Sequence, residues 1–414
     1  MLNRGLLLAS GKAGGNQTIG EAGGQGFGVG VYGGDPADLD AMGLAPMDGC
    51  DDPSSDNYGN YVHTNGSIMC FVPAFCYRIG NPAAPSYARD RENALEIRDA
   101  SEGEGDGWIL HRAFIDGGVQ KSGFFIDKYI CSKDKTQKLA VSVKYGSNIS
   151  LSRKYVNSST MPNCSGVVGD AIALGRARGE HYSCVTAFQW SAISMLSLAH
   201  GQATTSNQFC GWYAADYRTN YPKGNNNNSL GDVDDPSVKW SAHDWYSTIG
   251  LTGSGAPFNK TTHNGQNCGV TDVNGSQYQV VIGSQYNARD TVQFMKESVK
   301  AHEITKDNFA STALNDAVEF SNTYNDCGWG VQAFFLGTAG VFRAKCGILP
   351  KDAPMYGIPL FGNDAVYLSE NPNNILLVAG SFSTGKDAGV WFRKLTPLTS
   401  ENWICSFRSA GYAP

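Results

Sequence analysis

The sequence predicts an α+β chain with few helices, many short strands and long loops, preceded by an extended Gly-rich arm. Three observations predict it. Of the 414 residues 50 are Gly, about 12% against a usual share of about 7%. Charged residues make up only 17%, while 41% hydrophobic and 11% aromatic content supplies a core. From about residue 61 onward, short apolar segments rich in aromatic and branched residues alternate with turns, as strands do in a loop-rich fold.

Residues 1–60 read as the arm. Within it, Gly26, Gly28 and Gly30 alternate with Phe27, Val29 and Val31. An extended segment there would show three apolar side chains on one face and bare backbone on the other. That bare face predicts close cover by another chain, so Gly26, Phe27, Gly28, Val29 and Gly30 are the candidate oligomer or virion contact. The same letters match Gly-x-Gly-x-x-Gly through Gly33. The residues that follow are Asp-, Pro- and Gly-rich, without the helix and buried strand a dinucleotide site needs, and none is expected. Asp35-Pro36 can cap a short helix.

Residues 61–414 read as one domain. Ile68–Arg78 and Ser122–Ile130 are expected strands, and Ala171–Arg178 a short helix. Thr186-Ala-Phe-Gln189 is a capping box that opens a longer helix through Trp190, Ile193, Met195, Leu196 and Leu198 to Gly201. Another helix is expected over Asp290–His302. Insertions are expected at about 202–249, polar and dotted with aromatic residues, and at about 284–327. From Gly328 the pattern is short strands and turns.

The charge balance, 32 basic against 38 acidic residues with no basic cluster, predicts no nucleic-acid partner. No apolar run approaches the roughly 20 residues of a bilayer span, so no membrane insertion is expected. The apolar stretch Leu6–Ala9 is shorter than the roughly 7–15 residues of a signal-peptide core, so export by that route is not expected. Eleven cysteines, odd in number, widely spaced and without a C-x-x-C pair, are expected to be reduced and buried.

Several segments, taken in order, resemble the formylglycine-generating-enzyme type of C-type-lectin fold, in the version found in bacteriophage tail and receptor-binding proteins. They are Asp56-Asn-Tyr-Gly-Asn60 leading into Met69–Arg78, Gly123-Phe-Phe-Ile-Asp127, the Ala171 helix and Thr186-Ala-Phe-Gln-Trp190. Leu251–Gly255 with His263-Asn-Gly265, Gly269–Gly275, Gly380-Ser-Phe and Ser406-Phe-Arg408 complete the series. On the residues themselves, Asp127 suits a strand end whose carboxylate accepts backbone donors, Trp190 fills the core between helix and sheet, and Arg408 braces a terminal strand.

The resemblance implies an oxidase branch that uses a close C-terminal cysteine pair for metal binding and redox chemistry. Here Cys327, Cys346 and Cys405 stand 19 and 59 positions apart, so that chemistry does not carry over. The family's Gly-Asn-Val-Trp-Glu-Trp motif corresponds to Gly275-Ser-Gln-Tyr-Gln-Val280. Ser276 and Gln279 there replace the Asn and Glu that help hold calcium in some relatives. His181 near Cys184 is read as chance. Asp232, Asp234 and Asp235 carry calcium-type oxygens, but their spacing and Pro236 favour a plain acidic turn. No catalytic residue, cofactor or metal is expected.

What the resemblance leaves is recognition. In phage tail proteins of this fold, loops near the C-terminus contact a host receptor. Gly385–Trp403 holds Trp391, Phe392, Arg393 and Trp403, and at least one of the first three is expected to be accessible. Trp212, Tyr213 and Tyr217 in the aromatic insertion form a second candidate surface. The chain is thus expected in a virion assembled in the host cytoplasm, as a homotrimeric tail-fibre-tip or receptor-binding protein. Its partners would be copies of itself, other phage tail or capsid proteins, and a host surface glycan or protein. A structural head-fibre, decoration or tail-adaptor subunit is the main alternative, and a formylglycine-type oxidoreductase a further one.

Overall fold

Two larger sheets, one small sheet and a long buried helix organise the chain. The computed structural model describes residues 17–90, 94–133, 140–147, 149, 151, 167–204, 237, 239–241, 249–255, 262–288, 291–305, 318–319, 366–367, 374–381, 389–397 and 405–414. Over these residues the chain is mixed α+β, with strands predominating. The main strands, in chain order, are β1 (Leu44–Pro46), β2 (Asn60–His63), β3 (Ile68–Pro73), β4 (Phe75–Ile79), β5 (Leu95–Asp99), β6 (Ile109–Leu110), β7 (Gly123–Asp127) and β8 (Tyr182–Cys184). They continue with β9 (Tyr278–Ala288), β10 (Thr291–Phe294), β11 (Val318–Glu319), β12 (Val366–Tyr367), β13 (Asn374–Val378), β14 (Arg393–Pro397), β15 (Cys405–Phe407) and β16 (Ser409–Gly411).

A six-stranded sheet has the order β1-β2-β3-β7-β16-β8, so a strand from the C-terminal end lies between two strands from the first half. Its centre is apolar. Phe71 opposes Phe125 and Cys70 opposes Ile126, and all four are buried. A second sheet has the order β11-β10-β9-β13-β14-β12, with β15 parallel to β9. A small sheet has the order β5-β4-β6.

The expected strand Ile68–Arg78 divides into β3 and β4, which serve different sheets. Pro73 has no N–H to continue a ladder, and it marks the turn between them. The expected Ser122–Ile130 strand is shorter, ending at Asp127.

Three helices follow the sequence expectations to different degrees. Helix α1 (Pro36–Ala41) starts as the sequence suggests, with Asp35 accepting the Ala37 amide and Pro36 in the first turn. Helix α2 (Val167–Arg176) begins before the expected Ala171. Helix α3 (Ala187–Ala203) opens on the predicted capping box: Thr186 Oγ1 accepts from Gln189 N at 3.1 Å, and Gln189 Oε1 accepts from Thr186 N at 2.9 Å. Residues 187–202 are all buried, because α3 packs against both β5 and β9. Trp190 is 0% exposed, and its Nε1 donates to Val390 O at 3.0 Å. None of the helices is long and apolar enough to cross a membrane, among the described residues.

Two expectations are overturned here. Asp290–His302 is not a helix: Thr291–Phe294 pairs with β9, Val292 opposite Tyr286, and a short 3-10 turn covers Ala301–Glu303. The branched and aromatic residues Thr291, Val292 and Phe294 fit a pleated strand better than a helix.

Residues 17–60, for their part, are not a separate arm. Ile19, Phe27 and Val29 belong to the main core, β1 and β2 belong to the six-stranded sheet, and the expected boundary at residue 60 falls at the start of β2. Gly26 and Gly28 have φ of 71° and 83°, so the segment turns instead of running extended. The insertion expected at 202–249 falls mostly outside the described residues, and the one at 284–327 partly so.

Candidate functional site

The site grows from a buried polar knot at the end of β7. Asp127 is fully buried and forms an ion pair with Arg178, while its Oδ2 accepts the Ser409 amide at 2.8 Å. The Arg178 side chain is only 2% exposed. Desolvation works against its charge, but Asp127 beside it holds the guanidinium above its ordinary value. Arg408 donates from Nη1 to Asp127 O and Lys128 O, both at 3.0 Å, from Nε to Gln279 Oε1 at 2.6 Å, and from Nη2 to Thr271 O. Burial brings its pKa down to about 10, so it stays charged at neutral pH. Asp127 and Arg408 thus take the bracing roles read from the sequence. Gln279 also donates to Asp272 O at 2.8 Å and ties Arg408 to the 271–272 turn.

On this knot rests a cleft of about 500 Å³ between three loops: Gln25, the turn Pro53–Asp56, and Gly265–Cys268. Each loop is pinned to another. Gly26 N donates to Gln266 Oε1 at 2.7 Å, Gln266 Nε2 to Gly24 O at 2.8 Å, and Asn267 Nδ2 to Asp56 Oδ1 at 3.0 Å. Behind the cleft wall lies Lys128, 4% exposed, whose Nζ donates to Asp56 O at 3.3 Å and to Asn60 Oδ1. Asn60 in turn donates to Cys268 O at 2.9 Å. Burial pushes the Cys268 thiol up, while the Lys128 ammonium and Asn264 pull the other way.

The Gly-rich segment closes one side of this region. Phe27 O accepts from Asn264 Nδ2 at 2.8 Å and lies 3.2 Å from His263 Nε2. His263 Nδ1 accepts the Val270 amide, which leaves the ring proton on Nε2, facing Phe27 O. The ring of His200, on α3, stacks on Phe27 with centroids 6.0 Å apart. Burial lowers the His200 pKa to about 4; burial and the neighbouring His200 take His263 to about 3. Both rings are therefore neutral at pH 7. The glycine face that predicted cover by another chain is covered by this one: a Cβ on Gly28 would lie 2.4 Å from His263 Nε2, and one on Gly26 2.7 Å from the Tyr58 ring. Gly26, Phe27, Gly28, Val29 and Gly30 are all buried, so they are not the oligomer contact.

The C-terminal candidates are also corrected. Trp391, Phe392 and Arg393 are 3%, 0% and 1% exposed, so none of them offers a surface. Phe392 stacks on Tyr278, centroids 5.6 Å apart, and Arg393 donates to Val390 O at 2.8 Å and to Ser194 Oγ at 3.1 Å. Aromatic and Arg side chains in a polar stretch are here pinned under α3, and composition alone does not separate the two uses. Trp403, Trp212, Tyr213, Tyr217, Asp232, Asp234 and Asp235 lie outside the described residues.

All seven cysteines among the described residues are free and buried. Burial pushes Cys70 up to about 12 and Cys405 up to about 12. Cys184 donates to Val280 O at 3.4 Å, while His181 pairs weakly with Glu180 at 3.8 Å. Among the described residues no group of three or more His, Cys, Asp or Glu is placed to hold a metal. Sequence reasoning missed the cleft, although Asp56–Asn60 and His263–Gly265 were both singled out. Asp56 and Asn267 meet across 211 positions, and no local pattern announces such a contact.

No protein-family model matches the chain, and no curated protein matches it. Among solved structures, the structure of PvdO from Pseudomonas aeruginosa aligns over 84% of this chain and 95% of its own, with 11% sequence identity and a TM-score of 0.32.

Proposed function

We propose that the chain is a recognition protein of the formylglycine-generating-enzyme type of C-type-lectin fold. In this reading it is carried on a bacteriophage virion as a homotrimeric tail-fibre-tip or receptor-binding component. The ordered series of resembling segments supports the family, and the observation that carries recognition is the cleft built from three loops, two of them hydrogen-bonded to the third, on a buried ionic scaffold. Binding sites are commonly placed this way, with loops supplying contacts and a rigid frame supplying position. Among the described residues, the thiols support a binding role over thiol oxidation, because buried thiols with raised pKa are poor nucleophiles.

The test is adsorption. Purified protein added to host cells before infection is expected to bind the cells and reduce phage adsorption. The burial of Trp391, Phe392 and Arg393 favours a second reading, a structural head-fibre, decoration or tail-adaptor subunit that touches only virion proteins. Absence of cell binding together with stable association with virion proteins would decide for it. Light scattering on the purified protein checks the trimer.

A further inference from the structure

We propose that Lys144, Tyr145 and Lys239 form a surface site for a phosphate monoester. The site lies outside the cleft and stands apart from the recognition reading.

The first ground is an exposed ring on a strained backbone. Trp391 and Phe392 are buried, whereas Tyr145 is 43% exposed, the one large aromatic side chain left so open among the described residues. Its φ of 62° lies in the left-handed region, a costly conformation for a bulky residue. The surroundings impose that conformation. Thr252 O accepts the Tyr145 amide at 2.7 Å, Thr252 Oγ1 accepts the Gly146 amide at 2.9 Å, and Thr252 N donates to Gly146 O at 3.1 Å. Thr252 itself is fully buried and its hydroxyl donates to Val143 O at 2.6 Å, so the turn that carries the ring is fixed from beneath. A tyrosine held at a costly backbone position with its ring in solvent adds little to the core. Strain of this kind collects where a side chain serves a surface role.

The second ground is charge gathered on that ring. Lys239 Nζ lies 4.1 Å and Lys144 Nζ 5.3 Å from its centre, and both lysines are exposed. Among the described residues neither ammonium group has an ion-pair partner, and the Tyr145 hydroxyl has no hydrogen-bond partner. The buried Lys128 adds to the positive field, since Lys144 is one of the groups that lower its pKa. Carboxylates on neighbouring elements are engaged elsewhere: Asp272 Oδ2 accepts the Gly253 amide at 2.8 Å, and Asp56 Oδ1 accepts from Asn267 Nδ2 at 3.0 Å. Lys144 and Lys239 are far apart in sequence, so the pair forms only in the fold. Two like charges converging on one ring repel each other, and an anion between them reverses that cost.

The donor set selects the anion. Two ammonium groups and a phenol hydroxyl present donors and no charged acceptor. A phosphate monoester brings three terminal oxygens, one for each donor, and up to two negative charges, one for each lysine. A carboxylate has two oxygens and a single charge. Lysine binds phosphate as a point charge, and its flexible stem lets the ammonium close on the ligand.

The experiment uses the full chain at low salt, with methyl phosphate, inorganic phosphate, methyl sulfate and acetate as probes. Phosphorus-31 NMR titration is expected to show saturable binding of both phosphates. Competition against methyl phosphate is expected to rank methyl sulfate and acetate about threefold or more weaker. Lys144→Ala and Lys239→Ala, both at exposed positions, are each expected to weaken methyl phosphate binding about threefold or more, and the double variant to abolish it. Tyr145→Gly removes the hydroxyl and relieves the left-handed backbone. It is expected to weaken binding while leaving the thermal midpoint unchanged or raised. No saturable phosphate binding, undiminished binding by the double variant, or acetate or methyl sulfate binding as tightly as methyl phosphate overturns the proposal. A lowered midpoint in Tyr145→Gly with phosphate binding intact would make the ring structural and overturns it as well.

Discussion

Gly28 shows how much one residue can carry. Its φ of 83° lies in the left-handed region, and a Cβ there would meet His263 Nε2 at 2.4 Å, inside any real contact distance. Gly28→Ala is expected to cost roughly 2–3 kcal/mol, from backbone strain plus displacement of the imidazole. Urea denaturation of the purified variant checks the value. The same imidazole makes stability depend on pH. His200 and His263 have folded pKa values of about 4 and about 3, below the ordinary 6.5. Between those limits the unfolded chain binds protons that the folded chain refuses, so their contribution is full above about pH 6.5 and is lost as pH falls toward 4. The loss is of order 3 kcal/mol for each ring. Denaturation midpoints measured from pH 7 to pH 4 should fall, and His200→Gln should flatten that slope. The sequence marked Gly28 as special, yet attributed the need for a bare face to a second chain. Which partner covers a glycine is a tertiary fact, and period-two spacing does not contain it.

At the scale of elements, α3 was legible because its start signal is local. The capping box uses only Thr186 and Gln189, three positions apart, and both reciprocal hydrogen bonds form. Thr186→Ala is expected to destabilise the protein by about 1 kcal/mol, while Trp190→Ala, which empties a fully buried site, should cost about 3–5 kcal/mol. Thermal unfolding of the two variants checks the ranking: a cap that costs as much as the indole would mean that α3 draws its stability from its own ends and not from packing. The region 290–302 was illegible for the opposite reason. A helix is the expectation there, but antiparallel pairing with β9, Val292 opposite Tyr286, decides its state, and a strand's state depends on the partner that pairs with it as well as on its own residues. The split of Ile68–Arg78 at Pro73 was readable in hindsight, since a proline inside an expected strand argues against continuity.

For the whole molecule, the main change concerns the N-terminal segment. A free arm covered by another chain would be removable, leaving a folded domain that no longer assembles. The structure places Ile19, Phe27 and Val29 in the main core, at 1%, 0% and 0% exposure, and sets Gly24 and Gly26 against Gln266 to form one wall of the cleft. Burial of each such side chain contributes about 1.5–3 kcal/mol. Three of them together rival the net stability of roughly 5–15 kcal/mol typical of a folded protein. Removing residues 1–31 should therefore abolish or severely lower the cooperative thermal transition, at every protein concentration, because the loss falls within one chain. An arm that serves only assembly would behave differently: the truncated chain would melt normally and lose only its concentration-dependent stability. Circular dichroism melts of the truncated chain at two concentrations separate these outcomes. A normal transition in the truncated chain would return the Gly-rich segment to the role its composition first suggested.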